Sequence, residues 1–271
     1  MKSVTAVGVL LISAAASAAD LHPIVEVQTG YLFGATANGR WIKSEEAVKL
    51  LTDETTYRIY GFTQSFGEAR GGKPKPSEEE VCADVLTVEL SPKPEKGAIA
   101  LAAPWNALPR KPQTTDPTQQ AYVDAVRDFL ETKGIKQPKV KIENITRVDL
   151  DGDGEEEALI SATNYFQKGE GPPMRSLAGS YSMVLLRRVV TGKVETQLVE
   201  GEFYPKAYKA GDDNASFNAP NAYKVIAVLD LDGDGKMEVI VESSYYEGGA
   251  TTIYRCDPKK VGKLLSVSCG V

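Results

Sequence analysis

Two stretches of this 271-residue chain repeat one acidic pattern: Asp149-Leu-Asp151-Gly-Asp153-Gly-Glu-Glu-Glu157 and Asp230-Leu-Asp232-Gly-Asp234-Gly-Lys-Met-Glu238. Carboxylates stand at positions one, three, five and nine of each. Aspartates spaced by two in a tight turn repel one another unless a cation lies between them. Glycines at positions four and six let the backbone wrap so that the oxygens converge. Calcium suits such a shell, since it takes six to eight oxygen ligands in a flexible arrangement, whereas magnesium demands a tighter octahedron. Asp149, Asp151, Asp153 and Glu157, and Asp230, Asp232, Asp234 and Glu238, are therefore the candidate ligands. Glu155 and Lys236, at position seven, would contribute a backbone carbonyl, which leaves their side chains free to differ. Position twelve, the bidentate glutamate of an EF-hand, is Ile160 or Val241 here, inside apolar runs typical of strands. Each loop should thus join two strands.

In this the chain resembles the VCBS and FG-GAP repeats, whose acidic loops hold calcium in the blades of β-propellers. The resemblance covers about residues 142–162 and 223–243. It implies blade-like four-stranded units with Ca²⁺ at the loop carboxylates. The Phe-Gly and Gly-Ala-Pro elements of that family flank neither loop, and two copies are too few to close a propeller.

The strand pattern around the loops agrees with paired units. "KIENITRVDL", "EALISATNYF", "SYSMVLLRRVV" and "VETQLVEGEFY" form one series, and "AYKVIAVLDL", "MEVIVESSYY", "TTIYRC" and "LLSVSC" a second. The first series carries extra residues in "FQKGEGPPMRSLAG", which should lie in a surface loop. Before them, Asp116, Pro117 and Gln119 suit a helix start, and Tyr122, Ala125, Val126, Phe129 and Leu130 make one apolar face. Residues 117–133 are expected to form a helix ending at Gly134.

Residues 20–112 mix signals and are expected to form an α+β region. Asn38-Gly39 favours a tight hairpin turn. Ser44 would cap a short helix, "EEAVKLL". "TTYRIYGFTQ", "DVLTVELS" and "GAIALAA" are strand candidates, while "EARGGKPKPSEEE" and the proline-rich "PWNALPRKPQTTDP" suit loops. The expected fold is mainly β with minor α: two propeller-blade-like four-stranded repeats over 113–271, plus the N-terminal α+β region.

The first residues, "MKSVTAVGVLLISAAASAAD", combine Lys2, a short apolar run and small residues before a cut. This is the pattern of a secretory signal peptide over residues 1–19, too short to span a bilayer. A periplasmic or secreted protein without a membrane span in its mature form is expected. Loss of Lys2 would move the formal charge from −6 to −7, which disfavours nucleic acid. Of three cysteines, Cys256 and Cys269 flank a turn-like segment and are expected to form a disulfide, leaving Cys82 as a small buried thiol.

Catalytic patterns are sparse. His22 is the only histidine, which argues against Ser-His-Asp, Cys-His and paired-histidine metal sites. Glu242 and Glu247 are the carboxylates outside the loops that a hydrolase could use, and surface charge explains both as well. The Tyr245-Tyr246-Glu247 cluster could contact a sugar or a protein, though cross-strand packing accounts for such rings too. The function expected is a non-catalytic exported calcium-binding protein, a binding or structural module of the cell envelope with a protein or glycan partner. A periplasmic or secreted hydrolase with a carboxylate site is the alternative.

Overall fold

The computed structural model describes residues 21–51, 54–165, 172–207 and 219–271. The proposed signal peptide and part of the "FQKGEGPPMRSLAG" insertion lie outside them. The chain is mainly β, and the described residues include two short stretches of α-helix. Its strands form four sheets, and among the described residues these close neither a barrel nor a propeller.

The N-terminal region supplies β1 (His22–Glu26), β2 (Leu32–Ala37), β3 (Arg40–Lys43), α1 (Ser44–Ala47), β4 (Thr55–Tyr60), β5 (Ser65–Gly71), the short pair β6 (Lys75–Pro76) and β7 (Leu86–Thr87), β8 (Leu90–Ser91) and β9 (Ile99–Leu101). Seven of these build one sheet in the order β3-β2-β1-β9-β4-β5-β8. Asn38 and Gly39 take positive φ, 50° and 71°, between the paired residues Ala37 and Arg40. That is the conformation a two-residue hairpin needs. Ser44 lies inside α1 instead of capping it, with Lys43 at the cap. Glu68 to Gly71, expected in a loop, extend β5.

The second part begins with β10 (Gln113–Thr115), inside the connector that composition assigns to a loop, and α2 (Gln120–Thr132). The helix starts later than 117 because Asp116 spends a carboxylate oxygen on the Thr118 amide (2.8 Å) and hydroxyl (2.7 Å), closing a local turn first. Gly134 at φ 83° marks its end. Next come β11 (Ile142–Val148), β12 (Glu157–Thr163), β13 (Ser180–Val190) and β14 (Lys193–Tyr204), then β15 (Ala222–Leu229), β16 (Glu238–Tyr245), β17 (Gly248–Asp257) and β18 (Lys260–Gly270). Both series are antiparallel meanders. The second has four strands, β15 to β18; the first gains β10 at its edge and has five.

Burial on both faces explains why β12 and β13 are almost continuously apolar. Ala158, Ile160, Ala162, Tyr181, Met183 and Leu185 face a core shared with Val126 and Leu130 of α2. Leu159, Val184 and Leu186 face the opposite way, into a larger core. That core also holds Ile24, Phe33, Tyr60 and Ile99 from the N-terminal sheet and Val228, Ile240 and Ile253 from the last. Three sheets therefore share one apolar interior.

The disulfide differs from the one expected. Cys82 and Cys269 are bonded, with Cα atoms 5.5 Å apart, while Cys256 is a free buried cysteine. The physical reason is the β17–β18 register, which pairs Cys256 with Val261 and Cys269 with Gly249, so the two do not face each other. Packing of the N-terminal segment brings Cys82 to the end of β18 instead.

Candidate metal centre

Each acidic loop joins two neighbouring strands, β11 to β12 and β15 to β16. The local conformation follows from the carboxylates and glycines. In the first loop Asp149 accepts the amide of Gly152 on Oδ1 (2.6 Å) and that of Gly154 on Oδ2 (3.1 Å). In the second, Asp230 accepts those of Gly233 (2.7 Å) and Gly235 (3.1 Å). Asp153 and Asp234 each accept the amide two residues on, from Glu155 and Lys236, at 2.8 Å. Glu157 takes the Leu150 amide (2.8 Å) and Glu238 the Leu231 amide (2.9 Å). The wrapping needs left-handed backbone at the glycines, and Gly152, Gly154, Gly233 and Gly235 have φ between 77° and 93°.

Three of the four candidate carboxylates in each loop converge. Asp149, Asp151 and Glu157 each place an oxygen within 4.8 Å of the others, as do Asp230, Asp232 and Asp234. Asp153 is left out of the first group and Glu238 out of the second. Glu155 and Lys236 are exposed, and the Lys236 ammonium lies 4.0 Å from Asp257. In both loops the same atom is left over: Oδ1 of Asp151 and of Asp232 is buried with no hydrogen-bond partner. An unsatisfied buried oxygen costs about 1–3 kcal/mol, and a metal ion is one way to satisfy it.

The electrostatics point the same way. Burial raises the Asp230 carboxyl above its ordinary range, and Asp232 and Asp234 add to that, while the Gly233 and Gly235 amides oppose it. Burial pushes Glu238 up to about 8, against the pull of the Leu231 amide and Arg255. Glu157 is raised, first by burial and then by Asp151 and Asp153, with the Leu150 amide and Arg188 opposing. Burial thus disfavours the ionised form of Asp230, Glu157 and Glu238, which a cation nearby would restore. The residues present fit a hard divalent ion with oxygen ligands.

Composition gave no sign of how the two loops are held together. The Met237 amide donates to the Leu150 carbonyl (2.7 Å), joining one loop to the other. Arg110 clasps both: its Nε donates to the Asp149 carbonyl (2.5 Å), and Nη2 to those of Leu150 (3.2 Å) and Gly235 (2.7 Å). Trp105 donates its indole N–H to the Asp230 carbonyl (2.9 Å) and lays its ring against Gly233. The Asp230 amide donates to Ala107 (2.8 Å) and Thr36 of β2 donates to the Leu231 carbonyl (3.1 Å). "PWNALPR" thus clamps both loops, through Trp105 and Arg110, a role that its reading as a proline-rich connector did not include.

The other candidates are placed apart from these loops. Glu242 pairs with Lys224 across β15 and β16 at 2.9 Å. Glu247 occupies the turn between β16 and β17 beside Tyr246, whose ring meets that of Tyr245 edge-on at 5.9 Å. Tyr245 also lines a polar cavity of about 430 Å³ with Asn221, Ser243 and Cys269. His22 packs edge-on against Trp105 (4.6 Å). Among the described residues no helix is long and apolar enough to cross a membrane. No family model, no curated protein and no solved structure matches this chain.

Proposed function

We propose that this is a non-catalytic, exported calcium-binding protein, a binding or structural module of the cell envelope that works in the periplasm or is secreted. The observation that carries the reading is the orphaned Oδ1 at position three of both loops, beside converging carboxylates. On this reading the ion satisfies that oxygen, neutralises the cluster and fixes the corner between two strands, so its binding energy adds to folding energy. The two meanders are then blade-like units in the manner of VCBS and FG-GAP repeats, packed on a common core without closing a ring.

Export is supported by the signal-like first 19 residues and by a disulfide, a bond that persists in oxidising compartments. A protein or glycan partner fits better than nucleic acid, given the net charge of −6.

Thermal unfolding of the mature chain tests the proposal. Calcium at a hundred times its dissociation constant contributes about 2.7 kcal/mol, or roughly 5–10 °C in Tm for a chain of this size. Chelation with EDTA is expected to reverse the gain. A Tm indifferent to both overturns the reading.

A further inference from the structure

The two loops match position for position in their internal hydrogen bonds and differ in how the arginine of the neighbouring strand meets their carboxylates. Ala158 pairs with Arg187 across β12 and β13, which sets Arg188 beside Glu157; Val239 pairs with Tyr254 across β16 and β17, which sets Arg255 beside Glu238. The two arginines hold the same ladder place and behave differently. Arg255 enters its loop. Its Nη2 donates to Asp232 Oδ2 at 2.6 Å and to Glu238 Oε1 at 2.7 Å, its Nε reaches the same Glu238 oxygen at 3.2 Å, and Asp234 Oδ2 lies at 3.5 Å. Arg188 is buried and donates to the Cys256 carbonyl (2.7 Å); its charge acts on Glu157 only through space, and among the described residues no ion pair or hydrogen bond joins it to a carboxylate of the first loop.

The guanidinium does not use up the second loop. Asp232 is 2% exposed at its side chain, its Oδ2 is held by Arg255, and its Oδ1 remains unpartnered. An ion can therefore still bind there, but next to a fixed positive charge. Repulsion between a dication and a guanidinium a few ångströms away is only partly screened in so enclosed a place. The second loop is also poorer in negative charge, with Lys236 and Met237 where the first has Glu155 and Glu156.

We propose that the loops fill in order: the first takes its divalent ion at low calcium, and the second only at a concentration ten to a hundred times higher, because Arg255 already shares its carboxylates. This rests on the calcium reading above. Between the two concentrations the protein is half-loaded, with the loaded loop joined to the empty one through Leu150, Met237 and Arg110.

Calorimetric titration of the chelated full chain with calcium chloride, with bound ions counted by native mass spectrometry, tests the order. Two steps of one ion each are expected. Asp151→Asn should delete the tighter step and Asp232→Asn the weaker. Arg255→Met should bring the weaker step to within about threefold of the tighter. Should Arg255→Met not fold, Arg255→Lys keeps the charge but loses the fork and should shift the weaker step part of the way. Two equal steps, a tight step that survives Asp151→Asn, or a weak step unmoved in a folded Arg255 variant overturns the order and leaves the calcium reading standing. No uptake at all overturns the calcium reading itself.

Discussion

Glycine at position four of the second loop does more than turn the chain. A Cβ on Gly233 would meet the Trp105 ring at 3.1 Å, in a backbone with φ 77°, whereas one on Gly154 would meet nothing within 4 Å. Gly154→Ala should therefore cost only the left-handed conformation, about 1–2 kcal/mol. Gly233→Ala adds a contact with the indole tighter than ordinary packing and should cost about 1 kcal/mol more. Urea unfolding of both variants with calcium chelated measures the difference, and equal costs contradict the packing of Trp105 on the loop. The need for glycine was legible in the sequence, because the acidic spacing requires a tight turn. The indole was not, since 128 residues separate Trp105 from Gly233 and only the fold brings them together. Cysteine shows the same boundary. Burial pushes the Cys256 thiol up to about 12, so it should resist alkylation in the native protein. In unfolded, unreduced protein it should be the single reactive thiol, and reduction should raise the count to three. Three free thiols before reduction, or label found on Cys82 or Cys269 in place of Cys256, exclude the observed bond.

The eight strands after the helix were legible in order and type, because each is an apolar run bounded by turns. Their grouping into two series of four followed from the acidic loop repeated between the first and second strand of each, and the structure adds that each series is an antiparallel meander. Beside that helix, a strand and the helix start were not legible from composition. β10 hides in a proline-rich connector and becomes a strand only because β11 offers it an edge: Gln113 pairs with Arg147 and Thr115 with Ile145. The start of α2 moved because Asp116 found a nearer donor than the helix amides, a local competition that a capping pattern does not resolve. The connector's larger role belongs to this scale too. Arg110 supplies three charge-assisted hydrogen bonds to backbone carbonyls of two different loops. Arg110→Ala should cost about 1.5–3 kcal/mol, seen as a lower urea midpoint, and a neutral outcome shows that the loops hold each other without the clasp.

At the scale of the molecule, one disulfide spans 187 residues and ties the N-terminal segment to the last strand. Closing so long a loop constrains the unfolded chain strongly, and loss of the bond in Cys82→Ala/Cys269→Ala should destabilise by roughly 2–4 kcal/mol. Because the three sheets share one core, a single cooperative transition with a lower Tm is expected, and two separate transitions on calorimetry contradict that shared interior.

The sequence alone determined the acidic corner loops, the strand order around them, the helix with its apolar face and the hairpin at Asn38-Gly39, because each is written in spacing or in the conformational needs of neighbouring residues. Tertiary structure decided which cysteines bond, which arginine enters which loop, how Trp105 and Arg110 bind the two loops into one corner, and that β10 joins a sheet. These are contacts between residues far apart in the chain, and their partners are set by how three sheets pack around a common apolar interior, which no local pattern encodes.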